Sequence, residues 1–281
     1  MIKGLSEAGL SKVKNVEELI HLASEYGFNS IDTNGTELRK FIADRGLKGA
    51  KALLVEKGIQ IGSMAFPVEW RQSDAEFKDG LELLLADAQT AAQFDCHTFF
   101  TYFMPSTDRN TIEHLMALTK RIRTCAPLLK SYDINLALEF VGPHHLREKW
   151  ANPFIWNIGA TMDWLEIIGE DNVGILLDSL HWYTSGGTIE DITSLKAHQI
   201  AYVHINDTKD VPEKALDNDR VYPGEGVIDL SGFLRALKEI NYTGVVSQEI
   251  LTLEEPNETN EYLAERSRMA FEKVFNKAGI E

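Results

Sequence analysis

Val173-Gly-Ile-Leu-Leu-Asp178 is an apolar run that ends on a carboxylate, and its reading decides the fold. The run lacks the apolar–polar alternation of a half-buried strand, so it reads as a strand covered on both faces, as in parallel sheets. Working outward, similar short runs at 200–205 and 244–250 follow it, and one at 134–140 precedes it. Between them lie amphipathic stretches that predict helices at 156–168, opened by Asn152-Pro153, and at 189–197 and 230–240, with 260–277 as a closing helix. Upstream the same alternation continues: strands near 2–7, 30–32, 59–64 and 97–103, and helices over 16–26, 74–94 and 112–131. A further helix carries Leu38, Phe41 and Ile42 and later Ala52, Leu53 and Val55, while Pro127 should kink or shorten the helix that contains it.

Eight strand–helix alternations with no low-complexity linker or composition break predict an α/β protein, a single (β/α)8 TIM barrel with 1–281 as one domain. The competing architecture, a doubly wound open sheet, wants a glycine-rich phosphate turn after its first strand, and none stands there. The 281 residues carry 28 Lys and Arg against 43 Asp and Glu, a net charge of −15 that repels nucleic acid and anionic membranes. Composition, at 44% hydrophobic and 25% charged, is that of a globular protein with a full core. Two isolated cysteines, Cys96 and Cys125, make no disulfide framework and suit a reducing cytoplasm. With no signal-like segment after Met1 and no run of 18 apolar residues, a cytoplasmic protein is expected.

In such barrels the reacting groups lie at the C-terminal ends of strands. Reading those positions gives Glu139, Asp178, His204 and Glu249 on four successive strands, separated by 39, 26 and 45 residues, each interval long enough for a crossover. Any one of them could be a helix cap or a salt-bridge partner. Together they are harder to reconcile with that reading, because carboxylates facing apolar strand ends are costly unless a cation neutralises them. Three carboxylates and one imidazole suit one divalent metal ion (Mn, Co, Zn or Mg), and the lack of cysteine points to an open rather than a closed structural site. His181, three residues after Asp178, and Arg220, beside the Pro223-Gly224 turn, attach to the same rim; alternatively they are a surface histidine and a solvated arginine. His145, six residues after Glu139, lies in the loop above the fifth strand, and Phe66 and Tyr102 are candidate wall groups. Arg220, Arg147 and Lys149 leave room for a phosphorylated substrate.

The segments Ala-Leu-Glu-Phe-Val-Gly at 137–142, Asn-Val-Gly-Ile-Leu-Leu-Asp-Ser-Leu-His at 172–181, Val-His-Ile-Asn-Asp-Thr-Lys-Asp at 203–210 and Asp-Arg-Val-Tyr-Pro-Gly-Glu-Gly-Val-Ile-Asp at 219–229 resemble the xylose-isomerase-like superfamily of sugar isomerases and epimerases. The likeness is dense from about residue 134 to 253 and architectural before that. Within the superfamily the chain is most similar to the inosose (2-keto-myo-inositol) isomerases of inositol catabolism, and next to ketose 3-epimerases of the tagatose and psicose type. The resemblance implies that Glu139, Asp178, His204 and Glu249 bind one divalent metal. It also implies that Glu139 and Glu249 double as acid and base, with His181 and Arg220 at the substrate oxygens. Tagatose-type epimerases carry a second glutamate where this chain has His145, and the loop 143–156 is unlike that of the inositol enzymes.

The expected activity is therefore isomerisation or epimerisation of a small sugar or cyclitol by proton transfer through a cis-enediolate, in carbohydrate metabolism. The same chemistry can expel a β-hydroxyl, as in the dehydroshikimate dehydratases of the superfamily, so a lyase is the alternative. A non-catalytic sugar-binding barrel would leave the metal-capable rim unexplained. A DNA-repair nuclease on this fold would need more zinc ligands and a basic surface, which −15 opposes. A homo-oligomer is compatible with the sequence, since outer helices can be apolar for packing within or between chains.

Overall fold

The computed structural model describes residues 1–280. Eight strands alternate with helices: β1 (Ile2–Leu5), α1 (Val16–Glu25), β2 (Ser30–Thr33), α2 (Gly35–Lys57), β3 (Gln60–Ala65), α3 (Asp74–Gln93), β4 (Thr98–Phe103), α4 (Thr111–Lys130) and β5 (Asn135–Phe140). The order continues with α5 (His144–Arg147), α6 (Ile158–Ile168), β6 (Val173–Asp178), α7 (Ser179–Thr184), α8 (Ile189–Thr193), β7 (Ile200–Ile205), α9 (Leu230–Glu239), β8 (Val245–Gln248) and α10 (Asn260–Ala278). The strands form one closed barrel, and neighbouring strands run parallel. β1 closes the ring against β8, with Ile2 opposite Val245 and Gly4 opposite Ser247. The expected TIM barrel is thus the fold observed.

Two apolar layers build it. The larger lies between the strands and the helical ring, with Phe99, Phe103, Trp70, Trp164 and Phe233 buried there. The smaller fills the barrel, where Ala137, Leu176, Tyr202 and Val245 meet Ile2 and Phe100. Because side chains alternate along a strand, residues two positions beyond that inner layer also face the axis, now at the C-terminal rim. Ala137 leads to Glu139, Leu176 to Asp178 and Tyr202 to His204. On β8, Val245 and Ser247 face inward, and Glu249 follows at the rim.

Several local expectations are corrected. Asn152-Pro153 does not open α6; it pairs antiparallel with Ser106-Thr107 in a small separate sheet, and Asn157 caps α6 by accepting from the Ala160 N–H. Pro127 does not shorten α4, which runs on to Lys130 because the Pro127 carbonyl still accepts from the Ser131 N–H. Gly46, at φ 69°, breaks α2 into two helical pieces, so the apolar spacing shifts across it. Leu38 and Phe41 are buried before the break, Ala50, Leu53 and Leu54 after it, and Val55 is 82% exposed. The helix expected over 189–197 stops at Thr193, and a single 3₁₀ turn, Ala197–Gln199, follows. Among the described residues no helix is long and apolar enough to cross a membrane.

Candidate metal centre and substrate mouth

The four strand-end residues converge. One ligand-capable atom from each of Glu139, Asp178, His204 and Glu249 lies within 4.8 Å of the others. Glu139, Asp178 and His204 are buried, and Glu249 is the one partly open to the mouth. Two aromatic edges fix the His204 ring, Tyr202 below it at 5.7 Å and Phe100 beside it at 5.4 Å. In that pose Nδ1 faces Glu139 Oε1 at 3.3 Å and Glu249 Oε2 at 3.5 Å.

Asp178 does two things at once. Its Oδ1 caps α7 by accepting from the Leu180 and His181 N–H groups at 2.8 and 3.0 Å. Its Oδ2 accepts from Asn206 Nδ2 at 2.7 Å and Arg220 Nη1 at 3.2 Å. The cap places His181 in the first turn of α7, buried, with its Nδ1 lacking any hydrogen-bond partner and its Nε2 3.7 Å from Asp217. A buried ring nitrogen without a partner beside a cluster of this kind is a free contact for an incoming group.

Arg220 is also buried, and each nitrogen of its guanidinium has a partner in the protein. Nη1 donates to Glu249 Oε2 at 2.6 Å, Nη2 to Asp217 Oδ1 at 2.8 Å, and Nε to the Asp217 carbonyl at 2.7 Å. The loop that carries it is organised by Asp207, whose carboxylate accepts four backbone N–H groups, from Thr208, Gly224, Gly226 and Ile228. Gly226 is required there, since a Cβ would stand 2.1 Å from the Thr208 carbonyl oxygen.

Charge in the cluster is strongly uneven. Burial, and then the Glu249 charge, push the Glu139 carboxyl above the ordinary range. Burial alone would raise Glu249 too, but the charges of His204 and Arg220 hold it well below. For His204 burial works against the proton, yet the two glutamates more than reverse it and raise the imidazole well above its usual value. Neutralising partners are few: the three carboxylates share one histidine and one arginine that also pairs with Asp217. The donor set, carboxylate oxygens plus one imidazole nitrogen in a buried ring, fits a divalent cation of intermediate hardness.

Asp32 was not found by sequence reasoning. It is buried at the end of β2, accepts from Ser63, Tyr202 and Ser247 hydroxyls, and is pushed upward in pKa by burial. Asp217 and Asn206 were missed likewise. A cavity of about 200 Å³ sits over the cluster, with Asp32, Phe100, His204 and Glu249 among its walls. His145 stands on α5 at the rim, exposed and apart from the buried cluster. Arg147 donates to the Gly142 and Thr184 carbonyls, so it, like Arg220, is occupied within the protein.

The chain is similar to an inosose isomerase of Bacillus velezensis, 37% identical over 151 residues, covering 53% of this chain and 51% of that enzyme. The matched stretch thus spans about half the length of that relative. Among solved structures, a xylose isomerase domain protein from Alicyclobacillus acidocaldarius superposes with a TM-score of 0.91 at 32% identity, over 99% of both chains. The IolI protein with a bound zinc atom superposes with a TM-score of 0.84 at 23% identity over 99% of both, a likeness of fold. A family model matches residues 20–271, nearly the whole barrel with its ring of strand-end carboxylates, and the chain belongs to the xylose isomerase-like TIM barrel family.

Proposed function

We propose that the protein is a divalent-metal-dependent isomerase or epimerase of a small ketose or inosose. The observation that carries this reading is the convergence of Glu139, Asp178, His204 and Glu249, with ligand atoms within 4.8 Å, at the barrel mouth. The names of its relatives support it: an inosose isomerase in sequence, and in fold a protein that holds zinc. The cavity above the cluster, about 200 Å³, lies below the ~300–1,000 Å³ of drug-sized sites and favours a compact substrate.

Glu139, Asp178, His204 and Glu249 would hold the ion. Bound there, it supplies Lewis-acid polarisation of a substrate carbonyl and its neighbouring hydroxyl. Glu139 and Glu249, whose environments push their proton affinities apart, form the acid–base pair. One glutamate removes the proton from the carbon beside the carbonyl, leaving a cis-enediolate, and the other returns it. Return to the opposite face gives the epimer; return to the neighbouring carbon gives the isomer. The developing oxyanion would take the unpartnered Nδ1 of His181, while Arg220, held by Glu249, Asp178 and Asp217, would lend its positive charge to that end of the substrate and orient Glu249. His145, exposed on α5 at the rim, would meet substrate hydroxyls from there.

The test is proton NMR in D₂O over a panel of ketoses and inososes, with Mg²⁺-loaded and chelated protein. Metal-dependent deuterium uptake beside the carbonyl is expected, with an epimer or isomer as product; an alkene would establish the dehydratase instead. Glu139→Gln and Glu249→Gln should each lower turnover by about 10²–10⁴-fold. Near-normal turnover in both, with metal retained, would sink the two-carboxylate scheme.

A further inference from the structure

A second cavity, of about 370 Å³, opens among the loops at the same end of the barrel. It shares a wall with the carboxylate cluster. Tyr102, which lines it, is the register partner of Glu139 on the adjacent strand. Two residues earlier, Phe100 packs edge-on against His204, so alternation places the Tyr102 ring on the inner side of the rim. That ring is 44% exposed, an open aromatic face between the cluster and the cavity.

The cavity is lined by cations. The Arg71 guanidinium lies 4.0 Å over the Tyr102 ring, with Nε and Nη2 held by Glu69 at 3.0 and 2.8 Å. Its third nitrogen, Nη1, is buried and has no hydrogen-bond partner. A buried guanidinium N–H left unmatched is costly, and the planar fork suits a carboxylate or phosphate. Arg109 and Lys149 line the same space, and the Lys149 ammonium sits 4.7 Å over the Trp150 ring rather than on a carboxylate. Against these three cations stand Glu69, already paired with Arg71, and Asp108. Three cations against two carboxylates leave this cavity net positive in a chain of net charge −15.

We infer that this cavity is a subsite for an anionic end of the substrate, a phosphate monoester or a carboxylate remote from the reacting carbonyl, bound by Arg71, Arg109 and Lys149. The inference rests on the isomerase or epimerase reading and narrows its substrate class. The neutral, carbonyl-bearing end lies over Glu139 and Glu249. The Tyr102 ring separates the two ends, and Arg71 meets the anion by turning its unmatched Nη1 into the cavity, against the competing charge of Glu69.

Calorimetric titration of Mg²⁺-loaded protein with D-ribulose, D-ribulose 5-phosphate and D-fructuronate, whose carboxylate lies at the far end from its ketone, tests this. The phosphate, the carboxylate or both should bind at least about tenfold more tightly than neutral ribulose, and which does so identifies the anion. In the R71Q/R109Q double variant the ratio of anion to neutral affinity should collapse towards one, and E69Q should raise it. Equal affinities in the wild type overturn the subsite. So does a preference that survives R71Q/R109Q, because it would then come from anions chelating the metal. Should the double variant fail to fold, R109Q and E69Q, whose shifts have opposite sign, decide the matter by the same ratio. Deuterium exchange over the ketose and inosose panel separates the two readings: exchange without anion preference overturns the subsite alone. Anion preference without any exchange overturns the isomerase chemistry and leaves an anion-binding cavity.

Discussion

Asp217 belongs to no motif, yet it holds Arg220 through both its backbone carbonyl and its carboxylate. Burial would raise its pKa, but the charges of Arg220 and His181 outweigh it and hold the carboxyl below its ordinary value. Asp217→Asn removes one charge-assisted bond while leaving Arg220 on Glu249 and Asp178. Turnover should fall about tenfold with metal content unchanged, read by steady-state kinetics beside metal analysis. Unchanged turnover would mean that Glu249 and Asp178 alone position the guanidinium. The contrast with the four strand-end residues shows what sequence can carry. Glu139, Asp178, His204 and Glu249 were legible because a polar group terminating an apolar strand has an energetic oddity visible in its own neighbours. Asp32 has none: its three hydroxyl partners come from three other strands, at positions 63, 202 and 247. The unmatched nitrogens of Arg71 and His181 were hidden for the same reason, since a missing partner is a property of the folded surroundings.

At the scale of elements, the loop from 206 to 229 decides where Arg220 stands. Asp207 gathers it with four N–H groups and a reciprocal backbone pair with Val221, the residue next to Arg220. Gly226→Ala would drive a Cβ against the Thr208 carbonyl, a backbone atom that cannot swing aside. We expect a stability loss of about 1–3 kcal/mol in urea titrations, from overpacking, together with reduced activity as Arg220 shifts. Gly27→Ala is the control. Unlike Gly226 it carries positive φ, but a Cβ there meets nothing within 4 Å, so only the roughly 1 kcal/mol of left-handed strain applies and activity should survive. Helix periodicity was readable in α1, α4 and α9 because a continuous buried stripe repeats there. It misled in α2, where Gly46 resets the phase, and before α6, where Asn152-Pro153 is drawn into pairing with Ser106-Thr107. Both errors come from contacts or backbone geometry that local spacing does not encode.

For the whole molecule, the barrel was legible because eight alternations leave parallel strands little choice of architecture, while the site depended on closure. Glu249 reaches Glu139, Asp178 and His204 only because β8 is sandwiched between β7 and β1. The same closure crowds three carboxylates together, with Arg220 and His204 as the cations that pair with them. A bound ion should therefore stabilise the fold as well as equip it. At a hundred times its Kd an ion that binds only the folded state contributes about 2.7 kcal/mol, which for a chain of this size raises Tm by about 5 °C. Thermal unfolding with Mn²⁺, Co²⁺, Zn²⁺ or Mg²⁺ against chelated protein should show that rise for at least one ion, and E139Q/E249Q should erase it. The direction with pH also follows. Because Glu139 and Glu249 raise the pKa of His204, the metal-free imidazole carries a proton near neutrality, and its Nδ1 must lose it to become a ligand. Ion binding should then release roughly one proton at pH 7, and affinity should weaken as pH falls. Calorimetry in buffers of different ionisation enthalpy measures that proton. No thermal shift with any of the four ions, and no proton released, would show that Arg220 and His204 already neutralise the cluster and that it binds no metal.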